Sequence, residues 1–454
     1  MRWVELPPYF TSLTETACDL ANQTLREPLS PLAAHRLESV AATAPPSDAL
    51  PPPPTPSAVR LLSDRDQTPT AYTDVYVDDF LLLAQTQHKQ RQVLRAALHS
   101  IDAVFRPLTP DDPPTRKEPA SVKKFLKGDA SWLTFKRVLG WDINSQTMTI
   151  HFPPHRADRL REVLQWLRSP RERLSVTKWH QMLGELRSVS LALPGTRSLF
   201  SMLQHALSRS DQCRVRLTQR IYDVAADFLD LVNSVATRPT RLYELVPTAP
   251  AYIGACDASQ RGTMGGVWLD VTGATPPILW RTPFAPHIST ALVTSANRRG
   301  TLSISDFELT GMNATPMCSP DLATSVSVLY GAGDNSAAIS WSQKGSATSV
   351  AARAYLLQFS ALHQRRHRYL ARYHHIPGPV NTMADDASRR WDFLDHELLS
   401  HFNSAYPQTQ SWTLLPLAND TNSALTGALC RQRQRSASHV SIVQLPTCPT
   451  REVI

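Results

Sequence analysis

Two adjacent aspartates, Asp78 and Asp79, lie inside a run of strand-forming residues, YTDVYVDDFLLLA, and no other feature restricts the folding of the chain as strongly. Buried or half-buried like charges repel and raise each other's pKa unless a divalent cation neutralises them. The run therefore predicts short strands around a turn that presents both carboxylates to Mg²⁺ or Mn²⁺. A solvated hairpin turn that carries two acids is the alternative.

Positive charge is concentrated in the middle of the chain. Residues 81–250 contain 26 lysines and arginines against 15 aspartates and glutamates, whereas the whole chain has 47 against 39. A concentrated basic surface attracts a polyanion through phosphate contacts and counterion release, although a merely soluble basic face gives the same count. Charge alone favours nucleic acid as a partner only mildly.

Composition is typical of a multidomain protein without a membrane segment. The 454 residues are 42% hydrophobic, which is enough for two or three domains with their own cores. No stretch reaches the ~20 apolar residues of a membrane helix. The start MRWVELPPYF lacks the order of a secretory signal, so we expect a cytoplasmic or nuclear location and no membrane partner. The six cysteines show no CxxC spacing and predict neither a disulfide framework nor a zinc site.

Three breaks in composition divide the chain. Residues 45–56, PPSDALPPPPTP, are too rich in proline for a helix or a sheet interior and predict an insertion. Helical periodicity stops around 236–250, and no periodicity survives after residue 403. We predict an α+β region over 1–152, a helical region over 153–245, a mixed α/β domain over 246–403 and a disordered tail over 404–454.

Strands give way to helices within the first half of the chain. Residues 133–152 alternate apolar and polar around Gly140, which predicts short strands. Two apolar stripes at helical spacing follow, and Ser175 is the predicted N-cap of the second helix. The stripes consist of Leu160, Val163, Leu164 and Leu167, and of Trp179, Met182, Leu183 and Leu186.

Four acidic residues lie in separate predicted elements of the mixed α/β domain. Asp257 follows a strand, Glu308 opens a helix, Asp334 ends a buried strand, and Asp385 follows the loop after His375. Hard carboxylate oxygens on rigid elements suit divalent metal ions. Taken singly, Asp257 would be a turn residue and Glu308 an acid on a helix surface.

The first half of the chain resembles the reverse transcriptases of LTR-type retroelements of the gypsy or DIRS type. Residues 76–79, YVDD, resemble the YxDD box, a turn in the palm whose aspartates help to bind catalytic metal ions. Residues 3–10, WVELPPYF, resemble the palm segment before that box, and residues 138–141, VLGW, resemble the primer-grip hairpin. Residues 155–208 resemble the thumb and connection.

The second half resembles a retroelement ribonuclease H, through CDAS at 256–259, DFEL at 306–309, GDNS at 333–336 and HIPGPVN at 375–381 with its following ADDASR. The resemblance implies a ribonuclease H-like mixed-sheet domain. It also implies metal ligands for Mg²⁺ or Mn²⁺, with the first bridging two ions: Asp257, Glu308, Asp334 and Asp385, together with Asp78 and Asp79 in the palm.

Several assignments within these motifs stay open. Asp306 and Asp386 compete for the second and fourth ligand positions. His375 is either an aid to product release, as in relatives, or a structural histidine. Trp280 and Trp341 belong either to the core or to a surface that faces the substrate.

The resemblance implies an enzyme that cleaves the RNA strand of RNA–DNA hybrids, with the basic region holding the hybrid or a template–primer by its backbone. A polymerase palm needs a further aspartate and nucleotide-binding residues before WVELPPYF. We therefore expect a truncated polymerase part without activity. A catalytically inactive relict that binds nucleic acid is the alternative.

Overall fold

The computed structural model describes residues 6–26, 31–42, 70–168, 172–190, 192–193, 195–208, 213–246, 249–318, 328–347 and 351–432. The predicted proline-rich insertion lies outside these residues. The chain forms two compact units. Unit 1 covers Met1–Arg137 and Asn144–Thr147, and unit 2 covers Val138–Ile143 and Met148–Ile454.

Unit 1 is built from helices and one hairpin: α1 (Leu6–Arg26), α2 (Glu38–Ala42), β1 (Ala71–Tyr76), β2 (Asp79–Ala84), α3 (Gln87–Phe105) and α4 (Val122–Leu126). β1 and β2 pair antiparallel, as the run around the two aspartates predicts. α1 packs against both α3 and β1. The Thr86 hydroxyl accepts a hydrogen bond from the Lys89 amide and so fixes the start of α3.

The first part of unit 2 is mainly helical. Its helices are α5 (Pro154–Arg168), α6 (Val176–Val189), α7 (Thr196–Ser208) and α8 (Gln219–Thr237). Every residue of the two predicted stripes is buried, and Ser175 caps α6 as expected, accepting from the Lys178 amide. The short strands of unit 2 are β5 (Thr149–His151), β6 (Arg173–Ser175), β7 (Arg214–Arg216) and β8 (Thr240–Arg241), whereas β3 (Phe135–Val138) and β4 (Trp141–Asn144) each contain residues of both units. Among the described residues, no helix is both long and apolar enough to cross a membrane.

The remainder of unit 2 is a six-stranded mixed sheet with helices on both faces. The strands are β9 (Tyr252–Ser259), β10 (Thr263–Asp270), β11 (Ile278–Pro283), β12 (Val328–Gly333), β13 (Leu370–His375) and β14 (Thr413–Leu414). They lie in the order β13-β12-β9-β10-β11-β14, in which β9, β10 and β11 are antiparallel and β12 is parallel to both of its neighbours. The helices are α9 (Pro286–Ser289), α10 (Ile304–Met317), α11 (Ser336–Lys344), α12 (Ala352–His367), α13 (Thr382–Arg389), α14 (Asp395–Ala405) and α15 (Asn419–Leu429).

Alternation along the strands gives the sheet two cores. Cys256 and Ala258 point to the face where Phe307 of α10 packs. Val267 and Leu279 point to the opposite face, towards Ala387 of α13 and the aromatic side chains of α14 and of the segment after it. The sheet is therefore covered by α10, α12 and α15 on one side and by α13 and α14 on the other.

Two buried polar contacts join the helical region to the mixed sheet region. Arg365 of α12 forms an ion pair with Glu244 at 3.3 Å, and both side chains are at most 3% exposed. Gln358 of α12 donates a hydrogen bond to Asp227 of α8. The regions predicted as separate domains with a border at 245/246 thus lie in one compact unit.

The predicted disorder of the tail is wrong for residues 404–432. β14 adds to the sheet edge beside β11, and α15 buries Leu425 and Leu429 in the core that contains α10. The apolar positions of α15 recur at helical spacing, but Ala424, Leu425, Ala428 and Leu429 form only a short stripe after a polar first turn, which conceals the pattern. Residues 433–454 of the predicted tail lie outside the described residues.

α13 lies close to β10 at Gly265. A Cβ atom at that position would lie 2.6 Å from the Ala387 carbonyl carbon and 2.8 Å from the Ser388 amide nitrogen. Both are backbone atoms, so a side chain at residue 265 requires displacement of α13.

We expect Gly265→Ala to lower the free energy of unfolding by about 1–3 kcal/mol, because the added methyl group overpacks this contact. Gly184→Ala is the matched control, since a methyl group at Gly184 in α6 would meet no neighbouring element within 4 Å, and it should gain up to about 1 kcal/mol. Chemical denaturation measures both. Equal effects of the two substitutions would contradict the packing of α13.

Two neighbouring histidines lie at the end of α12. His363 Nδ1 lies 3.0 Å from the Tyr369 hydroxyl oxygen. The ring centroids of His363 and His367 are 4.2 Å apart. Burial, then the charges of Arg366 and Arg238, lower the pKa of His367 to about 4. Burial also lowers the pKa of His363 well below its ordinary value.

We expect unit 2 to lose stability as the pH falls from 6.5 towards 4. Unfolded histidine takes up a proton near pH 6.5, whereas folded His367 stays neutral until about pH 4. The contribution of neutral His367 to the free energy of unfolding is therefore complete above pH 6.5 and decreases as the pH falls towards 4. His367→Gln should flatten this slope in denaturation experiments at stepped pH. His396→Gln alters an exposed histidine of α14 and should leave the slope unchanged. An unaltered slope in His367→Gln would contradict the assignment.

Candidate metal centre

The register of two parallel strands brings the first pair of acids together. Ala255 of β9 lies opposite Ala332 of β12. Asp257 and Asp334 each follow two residues later, so both lie at the carboxyl end of their strand and on the same face of the sheet. Asp257 and Asp334, which are far apart in the sequence, therefore lie side by side at the carboxyl ends of β9 and β12.

Glu308 reaches the same edge from the second turn of α10. The helix begins with a capping box, in which the Ser303 hydroxyl accepts from the Asp306 amide and Asp306 accepts from the Ser303 amide at 2.8 Å. One oxygen of the Asp306 carboxylate, Oδ2, is therefore engaged at the helix start. Of the two candidates for the second position, Glu308 is the one whose carboxylate joins Asp257 and Asp334.

One carboxylate oxygen from each of Asp257, Glu308 and Asp334 lies within 4.8 Å of the other two. Asp257 is 1% exposed and Glu308 is 5% exposed. Burial, followed by the charges of Asp257 and Asp334, raises the pKa of Glu308 to about 9. Carboxylates so placed need a proton or a cation, and three hard oxygen donors fit a divalent cation such as Mg²⁺ or Mn²⁺.

Asp385 lies beside this group without joining it. Its pKa is raised to about 6, first by burial and then by the negative charge of Asp257. Arg389, one turn later in α13, lies 2.9 Å from the Asp385 carboxylate. Asp385 therefore shares the electrostatic field of the three acids.

Asp386 points to a different set of partners. Its carboxylate accepts from Arg390 Nε at 2.8 Å, His401 Nε2 at 2.7 Å and the Tyr406 hydroxyl at 2.9 Å. These contacts tie α13 to α14. Asp386, the alternative fourth ligand, therefore helps to fix α13, the helix that carries Asp385.

Three supporting residues were not singled out from the sequence. The Ser388 hydroxyl donates to Asp257, and Arg389 Nε lies 3.3 Å from the same carboxylate. Asn381 donates to the Cys256 carbonyl oxygen at 3.1 Å and so attaches the start of α13 to β9. The signal was present in ADDASR, where residues three and four positions after Asp385 share its helix face.

The residues left open in the motifs have structural contacts. His375 Nε2 lies 3.1 Å from the Asp334 carbonyl oxygen, an atom that can only accept, so the ring nitrogen donates there. Trp280 is fully buried in the core. Trp341 packs against that core, with the Arg353 guanidinium 4.4 Å from its ring centre.

Asp78 and Asp79 lie in unit 1, at the turn between β1 and β2, and both are exposed. Val77 in this turn has a φ of 59°, and its carbonyl oxygen accepts from the Thr14 hydroxyl at 2.7 Å. Asp79 forms an ion pair with Lys124 at 2.9 Å. Within the described residues neither aspartate belongs to a cluster of three possible ligands, so metal binding there stays a prediction.

Comparisons with protein-family models and with curated proteins give no match. Among solved structures, the chain is similar to a foamy viral protease-reverse transcriptase in complex with RNA/DNA hybrid, with 13% identity and a TM-score of 0.30 over 66% of this chain and 35% of that one. A foamy viral protease-reverse transcriptase dRH in complex with double-stranded DNA is 13% identical, with a TM-score of 0.29 over 66% and 46% of the two chains. The chain therefore spans less than half of either foamy viral chain. Likeness at this level leaves family membership undefined.

We expect Mg²⁺ or Mn²⁺ to stabilise the protein, by about 2.7 kcal/mol at a cation concentration one hundred times Kd. Glu308→Gln should abolish this effect, yet stay close to wild type in EDTA because the amide resembles the carboxyl that burial keeps protonated. Thermal melting with cation and with EDTA measures both.

Asp386→Asn is the matched control for this experiment. It should lower the melting temperature in EDTA, because contacts with His401 and Tyr406 weaken, but retain the cation effect. A cation effect that persists in Glu308→Gln would exclude the three acids as the binding site.

Proposed function

We propose that this chain is a divalent-cation-dependent ribonuclease H that hydrolyses the RNA strand of RNA–DNA hybrids. The observation that supports it is the convergence of Asp257, Glu308 and Asp334 within 4.8 Å at the carboxyl edge of the mixed sheet. Asp385 is proposed as the fourth ligand because α13 places it in the same electrostatic field.

Two cations bound there would supply an attacking hydroxide and stabilise the leaving 3′-oxygen. The protein's part is to fix the ligands. Asp257 belongs to the group of three acids and shares the partner Arg389 with Asp385, and the Ser388 hydroxyl orients its carboxylate, so Asp257 would be held ready as a ligand. Each acid is anchored on a packed strand or helix, so little motion is needed to assemble the centre.

The substrate would be bound through its phosphate backbone. Residues 81–250 carry 26 basic against 15 acidic side chains, an excess that favours a polyanion without reading base sequence. In this proposal unit 1 is a partial palm with the Asp78–Asp79 turn, the helical region is the thumb and connection, and the mixed sheet region is the nuclease. DNA polymerisation by this chain is not part of the proposal.

The purified chain is expected to nick the RNA strand of a labelled RNA–DNA hybrid in Mg²⁺ or Mn²⁺ and to leave double-stranded DNA intact. Asp334→Asn should lower the rate by more than about 100-fold, because it removes a ligand charge while the buried scaffold is unchanged. Asp392→Asn, which alters an exposed acid close to α13, should cut at the wild-type rate.

The outcomes separate an enzyme from an inactive relict that binds nucleic acid. A relict would bind the hybrid with an affinity that falls steeply with salt, and would not cut it. Cleavage that survives EDTA, or that is equal in Asp334→Asn and wild type, would point to a contaminating nuclease and overturn the proposal.

A further inference from the structure

We propose that Arg389 is an internal counter-ion of the carboxylate cluster, which a divalent cation must displace in order to bind. Arg389 would thereby set the cation affinity of the centre. The inference rests on the proposed function, since it concerns the same acids, and it assigns a role to a residue that is not one of the proposed ligands.

Arg389 contacts two of the proposed ligands at once. Its Nε lies 3.3 Å from Asp257 Oδ2, and its Nη2 lies 3.4 Å from Asp257 Oδ1 and 2.9 Å from Asp385 Oδ1. The Ser388 hydroxyl donates to Asp257 Oδ2 as well. Both oxygens of Asp257 are therefore engaged, and a divalent cation that takes Asp257 and Asp385 as ligands would lie close to the guanidinium, so repulsion between the two positive charges favours departure of Arg389.

The two partners of this ion pair differ in their access to water. The Asp257 side chain is 1% exposed, whereas that of Arg389 is 50% exposed. If the guanidinium left without a replacement, Asp257 would keep an uncompensated buried charge. Arg389 itself can be hydrated at once. Because of this difference in exposure, we expect Arg389 to leave Asp257 when a divalent cation takes its place, and to stay when none does.

The next residue provides a control with the same charge at the same end of α13. Arg390 lies 2.8 Å from Asp386 through Nε, and its guanidinium lies 5.2 Å from the ring centre of Phe393. Its side chain is 39% exposed, which is similar to Arg389. Arg390 therefore contacts Asp386, whereas Arg389 contacts Asp257.

The test is Mn²⁺ binding to the full chain, followed by electron paramagnetic resonance, with melting temperatures in EDTA. Arg389→Gln should bind Mn²⁺ about 2- to 5-fold more tightly than wild type, the range expected for loss of a half-exposed ion pair. Its melting temperature in EDTA should be lower, because the acids lose their counter-ion. Arg389→Lys should be intermediate, and Arg390→Gln should bind Mn²⁺ as wild type does.

Unchanged or weaker Mn²⁺ binding in Arg389→Gln, with Arg389→Lys likewise unchanged, would overturn the inference. Equal gains in Arg389→Gln and Arg390→Gln would also overturn it, since they indicate a general effect of charge. Hybrid cleavage in the same samples separates this inference from the proposed function. Cleavage with unchanged Mn²⁺ affinity refutes only the role of Arg389, whereas tighter binding without cleavage refutes only the nuclease.

Discussion

The parallel pairing of β9 with β12 is the constraint on which the candidate centre depends. Because Ala255 lies opposite Ala332, the two strands deliver Asp257 and Asp334 to one edge and one face. A register shift of one residue would turn one carboxylate towards the core around Phe307. The geometry of the centre is therefore fixed by backbone pairing and core burial, before any ligand chemistry applies.

Clustering these acids costs free energy, and the surrounding structure offsets that cost. Burial disfavours a charged carboxylate and neighbouring like charges repel it, and in that order both raise the pKa of Glu308. The sheet compensates with an apolar core on each face, and α13 is attached by polar contacts that include Thr263 to the Ser388 carbonyl oxygen at 2.7 Å. The fourth acid needs a rigid scaffold, since relaxation of α13 would move Asp385 and Arg389 away from Asp257.

Periodicity and capping chemistry were sufficient to predict the strands around Asp78 and Asp79 and the helices α5 and α6, including the start of α6 at Ser175. They could not decide between Asp306 and Glu308, because both lie near the start of α10 and only the capping contact distinguishes them. The spacing of Arg389 from Asp385 was readable in the sequence, but its contact with Asp257 was not, because these two residues are 132 positions apart. Leu425 was missed because a polar composition concealed a helix that tertiary packing stabilises.

The two groups of aspartates show why a motif alone does not define a metal centre. Asp78 and Asp79 are exposed, and Lys124 already balances the charge of Asp79, so water and a lysine satisfy this turn. Asp257 is buried, and its charge is balanced by hydrogen bonds and one half-exposed arginine. Since desolvation strengthens every electrostatic interaction, the demand for a cation is greater at Asp257. Burial, which adjacent residue letters do not reveal, is what separates the solvated acidic turn from the three acids that could hold a divalent ion.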